Sequence, residues 1–367
     1  MKSIVRSPFV LLLLFACADC SRTSGFTNTE FTQVEGTIRD NSGMELSNIT
    51  VVINGRPTKT DDEGYFHLDS LERGKASIEL HGADGIGRYA IDLDDTSLSL
   101  DLAYPVLTTI ILLHDNDQHF DYNFKEQVID KVEEYRARFE NVWLLNTGDI
   151  FVRHADRWPV AHDTTFYAER SRYMIETMND VGYDVMVPGN HEFDYIGPYT
   201  GNSLRMATFS MVAANVDVAT NKLPLFDPYT ILATDNGMSV AVLGLSVGRN
   251  KPGVSSRDII ETARIYSHLA EENDLFVALT HIGYRRDREL AEQVPVLDVI
   301  IGGHSHTLLE TAEMVNGVLV AQAGGGGHHL DPEKPNWLGI IKVVFENDHI
   351  IEKKGNVITI DEMVAVE

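Results

Sequence analysis

The chain has 367 residues, room for two domains or one large one with an appendage, since single cores of roughly 100 to 200 residues are the common unit. Its 30 basic residues against 55 acidic ones leave a formal charge of -25, spread along the chain rather than gathered in a tail. Such a surface repels polyphosphate backbones and excludes a basic nucleic-acid groove, so an anionic substrate needs local positive charge, which bound metal supplies.

The first residues, MKSIVRSPFVLLLLFAC, place Lys2 and Arg6 ahead of an apolar stretch, Phe9 to Ala16. That stretch is too short to span a bilayer as a helix and suits a signal peptide ending at 17, so export to a periplasm or cell surface is expected. The only two cysteines, Cys17 and Cys20, close this segment, leaving the folded part without a thiol for a disulfide or a thiolate metal site. The segment LFAC, Leu14 to Cys17, resembles a bacterial lipoprotein box, which implies lipidation of Cys17 and membrane attachment through that anchor alone; ordinary cleavage nearby is the alternative. A linker rich in Ser, Thr and Asn follows over 18–33.

Residues 34–104 carry short alternating runs, VEGTIRD, NITVVING, GYFHLDSL, KASIELHG, YAIDLD and LSLDLAY, with turns at NSG, DDEG and ADG. This spacing predicts a small all-β sandwich. The stretch GTIRDNSGMELSNITVVING followed by TDDEGYFHL is similar to carboxypeptidase-regulatory-like, prealbumin-type modules, a resemblance that implies a fold and no chemistry. Asp61, Asp62 and Glu63 read as a solvated hairpin turn before a calcium loop, and His67 and His81 stand alone on strand patterns.

From 105 to 367 the texture changes. Apolar runs (VLTTIILLH, NVWLLNTGD, YDVMVPGN, MSVAVLGLS, DLFVALTH, VLDVIIGGH) alternate with helical patterns such as Phe124, Val128, Val132, Tyr135 and Phe139. Strand and helix in alternation predict an α/β domain with strands buried on both faces and helices flanking them.

Five of these runs end in Asp, His or Asn: Asp117 and His119, then Asp149, then Asn190 and His191, then His281, then His304 and His306. Ligands of open α/β sheets bind at the carboxyl ends of the strands, so these residues are expected to converge. Imidazole, carboxylate and amide donors without sulfur suit hard-to-borderline divalent metals, with Fe, Mn, Zn and Co all admissible. Seven of these residues acting as ligands exceed the needs of one ion and fit two ions sharing a carboxylate, an arrangement that clamps both oxygens of a phosphoryl transfer.

The ordered set Asp117-x-His119, Gly148-Asp149, Gly189-Asn190-His191-Glu192, His281 and Gly302-Gly303-His304-Ser305-His306 resembles the calcineurin-like metallophosphoesterases. GNHEFDY and GGHSHT look like the branch of exported 5'-nucleotidases and 2',3'-cyclic phosphodiesterases. The resemblance implies a layered β-sheet core flanked by helices. It also implies one metal on Asp117, His119, Asp149 and His306 and a second on Asp149, Asn190, His281 and His304. A hydroxide between the ions would attack phosphorus, Asn190 would face a phosphate oxygen, and His191, oriented by Asp194, would protonate the leaving oxygen. A small phosphorylated substrate, with nucleotides among the candidates, follows from the same likeness.

Other residues read less sharply. Glu192 is taken as structural, and His114 as a buried, hydrogen-bonded histidine. Arg153, Trp158 and His328 are candidates for substrate contact, with His154, Arg157 and His329 beside them and an ordinary surface loop as the alternative. Phe120 and the stretch IFVR stand where the family has glycines, and the base-binding domain of the nucleotidase branch has no counterpart before Glu367. Nucleotide specificity is therefore not implied. A phosphodiesterase is the nearest alternative, and a surface binding protein on the same fold the more distant one.

Overall fold

The computed structural model describes residues 31–40, 43–82, 85–95, 97–104, 107–119, 125–151, 164–194, 197–234, 236–248, 251–325, 336–347 and 349–360. The signal segment, Cys17 and the first part of the linker lie outside them. The chain divides into two units that meet in sequence between Thr108 and Thr109, with Phe345–His349 assigned to the first.

The first unit holds seven strands: β1 (Phe31–Arg39), β2 (Thr50–Ile53), β3 (Arg56–Lys59), β4 (Tyr65–Glu72), β5 (Lys75–Gly82), β6 (Gly85–Asp92) and β7 (Ser97–Ala103). They form two sheets, β4-β1-β7 and β3-β2-β5-β6. Alternation puts Val34, Ile38, Phe66 and Leu100 of one sheet and Val51, Ile53, Ile78 and Leu80 of the other into a single apolar cluster. Strand β3, RPTK, has no apolar alternation and is not legible as a strand; it exists because Asn54 and Gly55, at φ 48° and 80°, close a two-residue hairpin that pairs it with β2. The DDEG segment is a turn whose Asp61 carboxylate accepts from the N–H groups of Glu63 and Tyr65.

The second unit begins with β8 (Leu107–Asp115), α1 (Lys125–Arg138), β9 (Asn141–Asn146), α2 (Thr164–Val181), β10 (Val185–Met186), α3 (Pro198–Leu204) and β11 (Ser210–Met211). It continues through β12 (Val216–Val218), β13 (Tyr229–Ala233), β14 (Ser239–Ser246), β15 (Val254–Ser256), α4 (Ile259–Ile265), α5 (Leu269–Glu272), β16 (Leu275–His281) and α6 (Tyr284–Gln293). It closes with β17 (Val299–Gly302), β18 (Glu313–Val315), β19 (Val318–Gln322), β20 (Trp337–Glu346) and β21 (His349–Thr359). Two six-stranded sheets result, ordered β11-β10-β9-β8-β20-β21 and β13-β14-β16-β17-β19-β18, with β12 and β15 forming a separate ribbon.

Strands β8 to β11 run parallel, as do β14, β16, β17 and β19, so each set sends its carboxyl ends the same way. Ile111 and Leu113 pack with Val128, Val132, Met174 and Ile175 of α1 and α2, while Ala278 and Ile300 pack with Ala263, Leu290 and Ala291 of α4 and α6. The alternate residues Ile110, Leu112, Val277, Leu279 and Ile301 are fully buried as well. Both faces are covered, which is why these strands read as unbroken apolar runs. Among the described residues no helix is long and apolar enough to cross a membrane.

His114 on β8 is buried, as its sequence setting suggests, but among the described residues its Nδ1 has no hydrogen-bond partner, contrary to the hydrogen-bonded histidine expected. Burial pushes the imidazole down to about 3, so it is neutral. The ring lies over Gly339 of β20, where a Cβ would collide with His114 Nε2. Gly339→Ala should therefore cost about 1–3 kcal/mol of stability by overpacking. Urea unfolding should show that loss, and shortening His114 to Ala in the same chain should recover part of it.

Candidate metal centre

The loops after β8 and β9 are laced together by backbone hydrogen bonds, Asp117 N to Gly148 O at 2.9 Å and His119 N to Asp149 O at 3.0 Å. This lacing imposes unusual backbone. Asp117, His119, Asp149, His304 and His306 have φ of 57°, 51°, 55°, 76° and 51° in that order. Non-glycine residues held in this left-handed region cost of order 1–3 kcal/mol each and cluster at functional sites. Gly189 is required by proximity, since a Cβ there would collide with Asp149 Oδ1 and lie 2.7 Å from His281 Cε1.

The side chains meet in three overlapping groups: Asp117, His119 and His306; His119, Asp149 and His191; Asp149, His281 and His304. His306 Nε2 lies 3.3 Å from Asp117 Oδ1 and 3.3 Å from His119 Nε2, and His281 Nε2 lies 3.1 Å from Asp149 Oδ2. Asn190 is buried in the loop between Gly189 and His191. Two of the imidazoles are oriented from behind by carbonyls, His119 Nδ1 by Phe151 O at 3.1 Å and His281 Nδ1 by Thr147 O at 2.6 Å. A carbonyl only accepts, so Nδ1 carries the proton and Nε2 is turned to the site.

These residues fit a metal. Among the described residues, the buried atoms Asp117 Oδ1 and His281 Nε2 face only other members of the cluster, without hydrogen bonds of good geometry, as donors awaiting a cation would. Charge tells the same story: burial opposes ionisation of Asp117 and Asp149, yet the surrounding imidazoles outweigh it and hold both carboxyls below their ordinary range. Burial likewise disfavours protonated His281, and Asp149 and Asp117 overcome this, raising it to about 10. The interior thus draws positive charge, which divalent ions supply in place of protons.

His191 sits beside the groups, its Nδ1 hydrogen-bonded to Asp194 Oδ2 and its Nε2 3.8 Å from Asp149 Oδ2. Burial lowers its proton affinity, but Asp194 and Asp149 raise it further, and the net direction is up. Lys251, which carries no sequence signal, donates to the Asp194 carbonyl at 2.5 Å and lies 3.8 Å from Asp194 Oδ1.

Glu192 does more than fill space. Fully buried, it accepts from the N–H groups of Asp149 (2.9 Å), Gly189 (2.6 Å) and Phe151 (3.0 Å), tying the loops after β9 and β10 together. Burial first, and Asp149 second, push its carboxyl up to about 7. Arg153, Trp158 and His328, and with them His154, Arg157, His329 and Phe120, lie outside the described residues.

Parallel strands ending in clustered carboxylates and imidazoles define an α/β protein with a metal-binding loop cluster. Residues 111–308, more than half of the chain, match the calcineurin-like phosphoesterase family, and the chain belongs to that family. It is 32% identical over 353 residues to the trifunctional nucleotide phosphoesterase protein YfkN of Bacillus subtilis, covering 83% of this chain and 22% of that protein. It is 28% identical over 285 residues to a 2',3'-cyclic-nucleotide 2'-phosphodiesterase/3'-nucleotidase of Yersinia enterocolitica, covering 64% of this chain and 42% of that protein. Its structure is similar to that of a 5'-nucleotidase precursor from Thermus thermophilus, with TM-score 0.55, 29% identity, and coverage of 68% of this chain and 54% of that one. The chain thus spans well under two thirds of each of these proteins.

Glu192→Gln replaces one acceptor oxygen by a donor facing backbone N–H groups. It should cost about 1–3 kcal/mol in urea unfolding, and elemental analysis should find less metal retained after dialysis.

Proposed function

We propose that the chain is an exported, metal-dependent hydrolase of small phosphoesters, with nucleotide monoesters as the favoured substrates. The observation that carries this reading is the convergence of Asp117, His119 and His306, and of Asp149, His281 and His304, beside the His191–Asp194 pair. One divalent ion would be held by Asp117, His119, Asp149 and His306, the other by Asp149, Asn190, His281 and His304. Bound there, the pair would supply water activation and charge neutralisation for phosphoryl transfer. The nitrogen and oxygen donors suit Fe, Mn, Zn or Co.

The protein's own groups do the rest. His191 Nδ1 is committed to Asp194, so Nε2 is the nitrogen that would hand a proton to the departing oxygen, and Asp194 keeps the ring oriented. Lys251 fixes Asp194 through its carbonyl. The Asn190 amide would donate to a phosphoryl oxygen while its carbonyl oxygen faces the metal. Rigid placement of these groups matters because phosphoryl transfer is driven by positioning and electrostatics. The names of the relatives support nucleotides as the substrate class, and that of the Yersinia protein favours a second reading, hydrolysis of a cyclic phosphodiester.

Asp149→Asn should lose both turnover and bound metal, whereas His191→Ala should keep its metal and lose roughly 10²- to 10⁴-fold in kcat. Full activity in both variants would overturn these residue roles, whereas wild-type protein that retains no metal and hydrolyses no ester would leave only a binding protein on this fold. A panel pairing each nucleoside monophosphate with its cyclic diester decides between the two esters. Export with a lipid at Cys17 predicts a mature N-terminus at that cysteine bearing acyl mass; an unmodified start beyond Cys20 in mass spectrometry overturns it.

A further inference from the structure

Two adjoining clefts share a wall, and one of them opens at His304, the exposed member of the donor set. One, of about 470 Å³, runs from His304 and Ser305 past Tyr284 to Arg286 and Val247. The other, of about 460 Å³, shares Val247 and Arg286 and continues to Asn215, Ser246 and Arg257. Each has the size of a small-molecule pocket. Their common wall connects the donor cluster to space large enough for the remainder of a substrate.

Arg286 stands on that common wall, and among the described residues its guanidinium has no hydrogen bond or ion pair. The neighbouring cations are engaged. Arg285 pairs with Glu289 at 3.0 Å, Arg288 with Glu313 at 3.4 Å, and Arg257 with Asp217 at 3.3 Å and with the Ala214 carbonyl. The acidic residues of the second cleft are engaged too, Glu289 with Arg285 and Asp258 with the Glu261 N–H at the start of α4. What the shared wall leaves unmatched is one permanent positive charge, on a protein whose net charge is -25.

Its position relates it to the donor cluster. A Cβ on Gly283 would stand 3.4 Å from His304 Cδ2, and Arg286 follows three residues later on α6, about 5 Å along the helix. We infer that Arg286 binds a second anionic group of the substrate, distinct from the phosphoryl group being transferred, so that preferred phosphoesters carry a distal phosphate or carboxylate. This rests on the phosphoester-hydrolase reading above. A guanidinium suits the task because its charge is permanent and its planar fork matches both anions. The acidic surface elsewhere repels a doubly charged ester, so a lone cation beside the reacting centre both attracts it and fixes its orientation.

Metal-loaded full-length protein should be assayed on pairs that differ only in the distal group: adenosine 5'-monophosphate against adenosine 3',5'-bisphosphate, and glycerol 3-phosphate against 3-phosphoglycerate. In at least one pair the wild type should prefer the member with the extra anion. Arg286→Ala should lower kcat/KM for that member roughly ten- to hundredfold, mainly through KM, and leave the member without the distal anion within about twofold. Arg286→Lys should recover part of the loss, and Arg286→Glu should reverse the preference. Equal losses on both members of every pair, or no loss on either, overturn the assignment while hydrolysis of the esters without a distal anion keeps the enzyme reading. If no ester of either kind is hydrolysed, the enzyme reading falls and this inference with it.

Discussion

The carboxylate of Asp149 is buried and charged, and it holds that charge because cationic and polar partners crowd it from every side. The His191 N–H donates to Oδ1 at 2.7 Å, His281 Nε2 approaches Oδ2 to 3.1 Å, and His119 and His191 add their fields. A buried charge stripped of such partners is costly by several kcal/mol, so the loops carrying them cannot drift independently. Glu192 is the brace that prevents drift, since its two oxygens fasten the backbone on either side of Asp149 and at Gly189. A second carboxylate, placed behind the first, thereby converts two flexible turns into one rigid floor.

The sheets make this floor possible. Parallel strands covered on both faces bring polar loop residues to one end without breaking the apolar interior beneath them, and the donor side chains of the site appear only where each strand stops. On β16 the change falls within one step, from fully buried Leu279 through Thr280 to His281. Thr280 is itself satisfied by Asp287 of α6 at 2.6 Å, so the helix after His281 is anchored under the site before it presents Arg286 on the wall of the clefts. Charge is used locally: a strongly acidic chain sets Lys251 against Asp194 and leaves Arg286 on the wall shared by the clefts.

Much of this is legible in the sequence, because strand-end residues announce themselves by following apolar runs. Asp117, Asp149, His281 and His304 can be grouped without coordinates, and the structure brings them together. The helix pattern around Val128 and Val132 is equally plain, since a 3.6-residue period has few other causes. What stays hidden depends on backbone conformation or on distance in the chain. Glu192 reads only as structural because a single side chain accepting three backbone N–H groups leaves no pattern in the sequence. Lys251 and Arg286 are ordinary surface residues until the fold sets them beside Asp194 and His304. Strand β3 escapes notice for the opposite reason, its pairing being dictated by the Asn54–Gly55 turn rather than by its own residues.

The left-handed backbone at Asp117, His119, Asp149, His304 and His306 has a consequence for the chain's reserve of motion. Conformations that are individually unfavourable persist only while something outside them insists, and here that insistence is divided between the hydrogen-bonded floor and whatever occupies the donors. An emptied cluster would keep half of that insistence and become the softest part of an otherwise dense interior, opening to solvent before any strand does. Occupancy would then act as a clasp for the loops as well as a reagent for chemistry, and protease resistance or amide exchange in those three segments would report loading even in a protein that never meets its substrate.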